Sequence, residues 1–188
     1  MKTLLVFILL LTSCGIRTTV LKDGVTRIAI NEKVYHNKLK FNSLIIDKID
    51  TTVIYEECRT VFLKDGLPVN VLARQETENR NTFYSAYRFY NNGCFNVFIL
   101  NRETDASLSS NDFNPDYAGH RGIYFKEKSK IKGNLITQVT GYGETGTIRE
   151  IFQFEGDTLY VTSGNPKQTY IFVKRNLPTD FLKWKANW

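Results

Sequence analysis

The sequence predicts an all-β protein: an antiparallel meander that closes into a small barrel of about eight strands and ends in a short helical turn. Three observations predict it. From residue 51 onward, runs of about six to ten residues rich in β-branched and aromatic side chains follow one another. Glycine and asparagine turn signals separate these runs, and no amphipathic helix of about three turns intervenes. The chain also carries 13 Phe and 10 Tyr among 188 residues, enough aromatic surface for one substantial core. A composition 42% hydrophobic and 23% charged excludes a mostly disordered chain. No internal repeat marks a solenoid or a propeller.

The N-terminus carries a targeting signal. Met1-Lys2-Thr3 is a short charged start, and Leu4 to Leu11 is an unbroken apolar run. A membrane-spanning helix needs about 20 apolar residues, so this run fits the apolar region of a secretory signal instead. It ends in Leu11-Thr12-Ser13-Cys14, an aliphatic residue, two small residues and a cysteine. That pattern resembles the lipobox of bacterial lipoproteins. The resemblance implies cleavage before Cys14, a thioether-linked diacylglycerol on its sulfur and acylation of its amino group. The alternative is an ordinary signal peptide with a chance cysteine. Two or more acyl chains anchor a protein stably where one does not. The expected organisation is a signal peptide over 1–13, a tether and N-terminal extension over 14–50, and a β-barrel with a C-terminal cap over 51–188.

Within the extension, Val25 to Ile30 alternates and predicts a short strand, while Lys38 to Ile49 suits a helix or irregular packing. The barrel strands are expected at Thr51–Tyr55, Val69–Ala73, Thr82–Tyr90, Cys94–Asn101, Arg121–Lys126, Ile131–Thr140, Thr147–Phe154, Thr158–Ser163 and Thr169–Lys174. Two hairpins are readable in register. With Gly93 left-handed at the end of Asn91-Asn92-Gly93, Phe89 faces Phe95 and Tyr87 faces Val97, leaving Arg88 opposite Asn96 on a wetter face. A Gly156-Asp157 turn places Phe154 opposite Leu159 and Phe152 opposite Val161, with Arg149, Gln153, Thr158 and Thr162 behind. The candidate ligand-lining residues are therefore Tyr87, Phe89, Phe95, Val97, Phe152 and Phe154. Glu150 shares the Phe152 face, so its carboxylate points into the barrel or sits at a wet rim; buried without a partner it would be costly. Thr179 or Asp180 caps a final helical turn, and Phe181, Trp184 and Trp188 are expected to cover one barrel end.

No catalytic set stands out. Ser107, Ser109, Ser110, Asp112, Asp116 and His120 supply the letters of a triad, but no Gly-x-Ser-x-Gly elbow is present. His36 and His120 stand alone, with no metal-ligand spacing and no cofactor motif. Gly141 to Gly146 is glycine-rich but lies between strands, whereas a phosphate cradle opens a helix. The Arg102–Gly119 connection is long enough to form a lid over a barrel mouth, or is a mobile loop. Once Cys14 is lipidated, Cys58 and Cys94 remain, either bridged in an oxidising compartment or as two separate small apolar residues. The net charge of +6, which loses one unit with Lys2 on cleavage, is spread along the chain. This suits a solvated surface near an anionic membrane rather than nucleic-acid binding, and it disfavours inhibition of a basic lysozyme.

Four segments together resemble the lipocalin-like lipoproteins of Bacteroidota: the Leu-Thr-Ser-Cys box, Arg88-Phe89-Tyr90-Asn91-Asn92-Gly93, His120-Arg121-Gly122-Ile123-Tyr124-Phe125, and Phe152-Gln153-Phe154-Glu155-Gly156-Asp157-Thr158-Leu159. Outside the lipobox the resemblance covers residues 80–174 and implies a lipocalin-like barrel. The expected function is a non-enzymatic, lipid-anchored envelope protein that binds a small apolar ligand in the barrel. The alternative is a structural or interaction lipoprotein with a filled barrel, and an envelope hydrolase is less favoured. Gly15-Ile16-Arg17 carries no acidic residue after the cysteine, which by resemblance implies an outer-membrane anchor facing the periplasm. A membrane partner through Cys14 is expected; a protein partner is not readable.

Overall fold

The computed structural model describes residues 16–64, 67–68, 82–141, 143–163 and 168–188. The expected strand at Val69–Ala73 lies outside them, as does Cys14. The fold is a closed antiparallel barrel of eight strands. A small hairpin, β1 (Thr18–Val20) and β2 (Arg27–Ala29), precedes it. The barrel strands are β3 (Ile54–Lys64), β5 (Phe83–Phe89), β6 (Cys94–Asn101), β7 (His120–Glu127), β8 (Lys130–Gln138), β9 (Thr145–Glu155), β10 (Thr158–Ser163) and β11 (Gln168–Arg175). The short β4 (Leu67–Pro68) pairs antiparallel with the end of β3, Leu63↔Pro68 and Lys64↔Leu67. Each strand pairs with the next, and β11 returns to β3, from Arg175↔Ile54 to Gln168↔Phe62, with a bulge at Cys58. Closure removes the exposed edges that an open meander would carry.

Both hairpin registers read from the sequence are present. Phe89 pairs with Phe95, Arg88 with Asn96 and Tyr87 with Val97 across a turn in which Gly93 has φ +85°. Phe154 pairs with Leu159 and Phe152 with Val161 across Gly156, φ +56°. These left-handed values suit glycine, and they fix which side chains face inward.

The extension joins the barrel instead of trailing from it. Two 3-10 segments, Glu32–Lys40 and Ser43–Lys48, replace the helix or irregular packing expected at Lys38–Ile49. Each starts under an asparagine whose side-chain oxygen accepts a backbone N–H: Asn31 from Lys33 at 2.9 Å and Asn42 from Leu44 at 2.9 Å. Phe41, Ile45, Ile49 and Val53 then turn into the barrel core and close the end marked by the 90–93, 128–129 and 156–157 turns. Gly93 lies directly under Phe41, where a Cβ would stand 2.7 Å from Phe41 Cγ.

The outer wall of β5, β6 and β7 is buried as well. The Arg88–Asn96 face, expected to be wet, is covered: Arg88 is 4% exposed and Asn96 0%. The cover comes from the β1–β2 hairpin, the 102–119 connection and the C-terminal segment. Phe113 packs on Ile54, Tyr84, Ala86, Phe98 and Leu100, so the 102–119 connection sheathes the wall and is not a lid over a mouth. Phe181 packs with this group, and Trp188 with Tyr90, Cys94 and Ile123. These rings, expected across a barrel end, lie along the side because even-numbered positions such as Tyr84, Ala86, Phe98 and Leu100 present a second apolar face. Arg88 is tolerated beneath them because its guanidinium donates to the carbonyls of Leu182, Trp184 (2.9 Å) and Phe113 (3.4 Å) and lies 4.6 Å over the Tyr90 ring. Asn96 is matched in the same way, accepting from the Tyr90 hydroxyl at 2.9 Å and donating to the carbonyls of Gly119 and His120.

The bridge between Cys58 and Cys94 is not formed. Cys58 is exposed on β3, Cys94 is buried on β6, both thiols are free, and β5 runs between their strands. Cys94 instead donates to the Trp188 carbonyl at 3.2 Å, and burial raises its pKa.

Two inward glycines set the barrel's calibre. A Cβ on Gly122 would overlap the Phe95 ring, and one on Gly133 would fall 2.5 Å from Phe152. Neither position needs a positive φ, so substitution there probes space alone. Gly122→Ala is expected to destabilise the fold by about 1–3 kcal/mol through overpacking. Denaturant unfolding of Gly122→Ala beside a Gly141→Ala control, where a Cβ meets nothing within 4 Å, checks this.

Candidate functional site

The barrel interior has two halves. Toward the closed end it is filled by aromatic rings around Phe89, which is fully buried. Tyr124 (5.4 Å between centroids), Phe152 (5.2 Å), Phe154 (5.3 Å), Phe95 (5.7 Å) and Tyr55 (5.8 Å) surround it, mostly edge to face. Tyr87 stacks above, 6.1 Å from Phe89 and 4.8 Å from Phe172. Such pairs contribute roughly 0.5–1.5 kcal/mol each beyond their buried area. Toward the opposite end, here called the mouth, the inward rows of β5 and β6 run out to Phe83 and Ile99, which are 61% and 55% exposed.

All seven residues singled out as ligand-lining therefore face inward. Tyr87, Phe89, Phe95, Val97 and Phe152 belong to the buried cluster, Phe154 packs against it, and Glu150 lies one inward position nearer the mouth than Phe152. The solvated-rim alternative for Glu150 does not hold, because the residue is only 3% exposed. The Tyr87 hydroxyl donates to Glu150 Oε1 at 2.6 Å from the far wall. Glu150 Oε2 has no hydrogen-bond partner among the described residues. Burial lifts the Glu150 pKa to about 8, with the Tyr87 hydrogen bond acting the other way, and so favours the protonated carboxyl. Burial, and then the charge of Glu150, push the Tyr87 phenol well above its ordinary range.

Sequence reasoning missed a second acid. Glu57 pairs with inward-facing Phe172, so its side chain shares the interior face; its Oε2 accepts the Ser85 N–H at 3.1 Å. Its charge raises the phenols of Tyr87 and Tyr170, after burial in both cases. Tyr55-Glu56-Glu57-Cys58 alternates visibly, but the bulge at Cys58 and the absence of an inward assignment for β3 and β11 hid which glutamate points in. The neighbouring Glu56 points out, to Arg102 at 2.7 Å and Arg175 at 3.0 Å.

The triad letters do not assemble. The Ser109 hydroxyl donates to Asp112 at 2.9 Å, the Ser107 hydroxyl to the Thr104 carbonyl at 2.8 Å, and Asp116 pairs with Arg121 at 3.1 Å. Burial lowers the His120 pKa. Among the described residues, no group of three His, Cys, Asp or Glu side chains is placed to hold a metal ion, and no helix is long and apolar enough to cross a membrane. A groove of about 670 Å³ runs between the 32–40 segment and β8–β10, lined by His36, Lys40, Lys132, Arg149 and Glu150 among others. Its surface mixes polar and apolar atoms, and Lys132 within it is paired with Glu127. No protein-family model, no curated protein and no solved structure matches the chain.

A carboxyl with a raised pKa binds more protons folded than unfolded. The folded pKa of Glu150 lies near 8 against an ordinary 4.5, so its ionisation weakens the fold progressively as pH rises through that window. Glu150→Gln keeps an acceptor for Tyr87 and cannot ionise. Its melting temperature is expected to match or exceed wild type, with a gap that widens from about pH 5 to about pH 9. Paired thermal scans across that range check the sign. A gap that narrows as pH rises would mean the ionised group is the stabilising form.

Proposed function

We propose that this chain is a lipid-anchored, non-enzymatic binding protein of the bacterial cell envelope that takes a small, mainly apolar ligand in the mouth half of its barrel. The observation that carries the reading is Glu150. A carboxyl 3% exposed, with one oxygen on Tyr87 and the other unmatched among the described residues, is costly in an empty protein. Ligand pockets are mostly apolar with a few placed polar groups, and Glu150 over a floor of Phe and Tyr rings has that composition. The filled closed half limits the ligand to the mouth half.

The anchor rests on Leu11-Thr12-Ser13-Cys14. Ile16 already packs against the outer-wall cluster with Trp188, so a single residue, Gly15, separates Cys14 from the packed chain. At about 3.3–3.6 Å per residue this holds the barrel against the bilayer rather than on a long tether. The outer membrane, periplasmic face, is the proposed location. The second reading, a filled barrel with a structural or interaction role, draws on the ring packing around Phe89.

Two experiments test the proposal. Cys14→Ser is expected to abolish incorporation of labelled palmitate and to move the protein to the soluble fraction; unchanged labelling would overturn the anchor. Native mass spectrometry of protein purified from its own cells is expected to show a retained small molecule that Glu150→Gln retains less. A bare mass in both would favour the filled barrel.

A further inference from the structure

Among the described residues, the inward charges of the mouth half have one sign. Two acids face it, Glu150 from β9 and Glu57 from β3. Two phenols accompany them, Tyr87 from β5 and Tyr170 from β11, both sensitive to the Glu57 charge. No lysine or arginine among the described inward-facing residues of that half opposes them. The inward lysines, Lys174 and Lys126, sit at the closed end, and Lys174 is paired there with Asp50 at 3.5 Å and Asp157 at 3.2 Å. His120, opposite Val97, is kept toward its neutral form by burial. The arginines near this seam, Arg102 and Arg175, are engaged outside the barrel by Glu56 and Asp105.

Resting on the binding reading above, we infer that the ligand of this barrel is a small organic cation, an amine or ammonium on an apolar body, held by Glu150 Oε2 and Glu57 with Tyr87 and Tyr170 beside it. Among the described inward-facing residues of that half, an anion would meet two acids and no lysine or arginine. A neutral alcohol could satisfy Oε2 with one hydrogen bond but would leave the pair of acids uncompensated. A cation supplies the missing charge, its N–H groups match the orphan oxygen, and phenol rings attract cations over their faces. Bringing a cation to Glu150 also favours its ionised form, so binding releases a proton and strengthens as pH rises toward the point where the amine itself loses its charge.

The test uses three probes with one body: phenethylamine, phenethyl alcohol and phenylacetate, titrated calorimetrically into the purified chain at neutral and mildly alkaline pH. The amine is expected to bind at least about tenfold more tightly than the alcohol, with no detectable heat for phenylacetate. Glu150→Gln is expected to lose that preference while keeping its affinity for the alcohol. Tyr87→Phe, which removes only the hydroxyl, serves as the second variant should Glu150→Gln not fold, and is expected to weaken amine binding severalfold. Binding of the alcohol or phenylacetate as tight as the amine overturns the cation inference and leaves barrel binding standing. Binding of none overturns the inference, and the retained-mass measurement on native protein then judges the wider reading separately.

Discussion

The rest of the structure depends on the packing of rings around Phe89. This side chain is at the centre of a barrel whose calibre must fit it: Tyr55, Phe95, Tyr124, Phe152 and Phe154 meet it from different strands. The wall accommodates that volume only where side chains are missing. Gly122 leaves room for Phe95, and Gly133 for Phe152. Large residues from some strands are thus offset by glycines on β7 and β8, as close packing of an interior requires. The closed end follows from the same constraint. Rings projecting toward that end would meet water, so Phe41, Ile45 and Ile49 fold over them, and the chain before β3 becomes a stopper.

The second consequence is a wall buried on both sides. Once Tyr87, Phe89, Phe95 and Val97 face in, the alternate residues of β5 and β6 face out, and Tyr84, Ala86, Phe98 and Leu100 among them are apolar. They need a cover, which the 102–119 connection and the C-terminal segment provide. Arg88 ties the cover down: its guanidinium reaches backbone carbonyls of Phe113, Leu182 and Trp184, satisfying acceptors that irregular segments would otherwise bury unpaired. A charged residue here acts as a fastener between layers rather than as surface.

This explains what the sequence made legible and what it did not. Hairpin registers were readable because Gly93 and Gly156 fix local turn geometry, and inward rows follow from register by a period of two. The inward placement of Phe89 and Phe152 came from that alone, whereas register gave only the face of Glu150 and left a wet rim open, which its 3% exposure excludes. Arg88 and Asn96 were misread as a wet face because alternation reports polarity, not what later covers a face; the covering carbonyls lie about ninety residues away in the case of Leu182 and Trp184. Glu57 was missed because its direction is set by the ladder with β11 and the bulge at Cys58, which are long-range facts. The thiols were left open for the same reason: nothing local to Cys58 or Cys94 says that β5 separates them.

Glu150 is an inward side chain that this logic does not explain. Asn96, buried by the double wall, finds partners in Tyr90 and the Gly119 and His120 carbonyls, whereas Glu150 Oε2 has none among the described residues. A leucine or glutamine at position 150 would serve the packing of Phe152 and Tyr87 at lower cost, since a buried carboxyl with an unmatched oxygen loses water and gains one hydrogen bond. A group that lowers stability in the empty barrel and sits above its filled half, on the side where Phe83 and Ile99 are exposed, is placed as a ligand handle would be. Glu57 strengthens the argument because it places a second acid on the same inward face, across the ladder from Phe172. The closed half of the barrel holds the packed aromatic core, and the buried carboxyl of the other half is the feature on which the binding proposal rests.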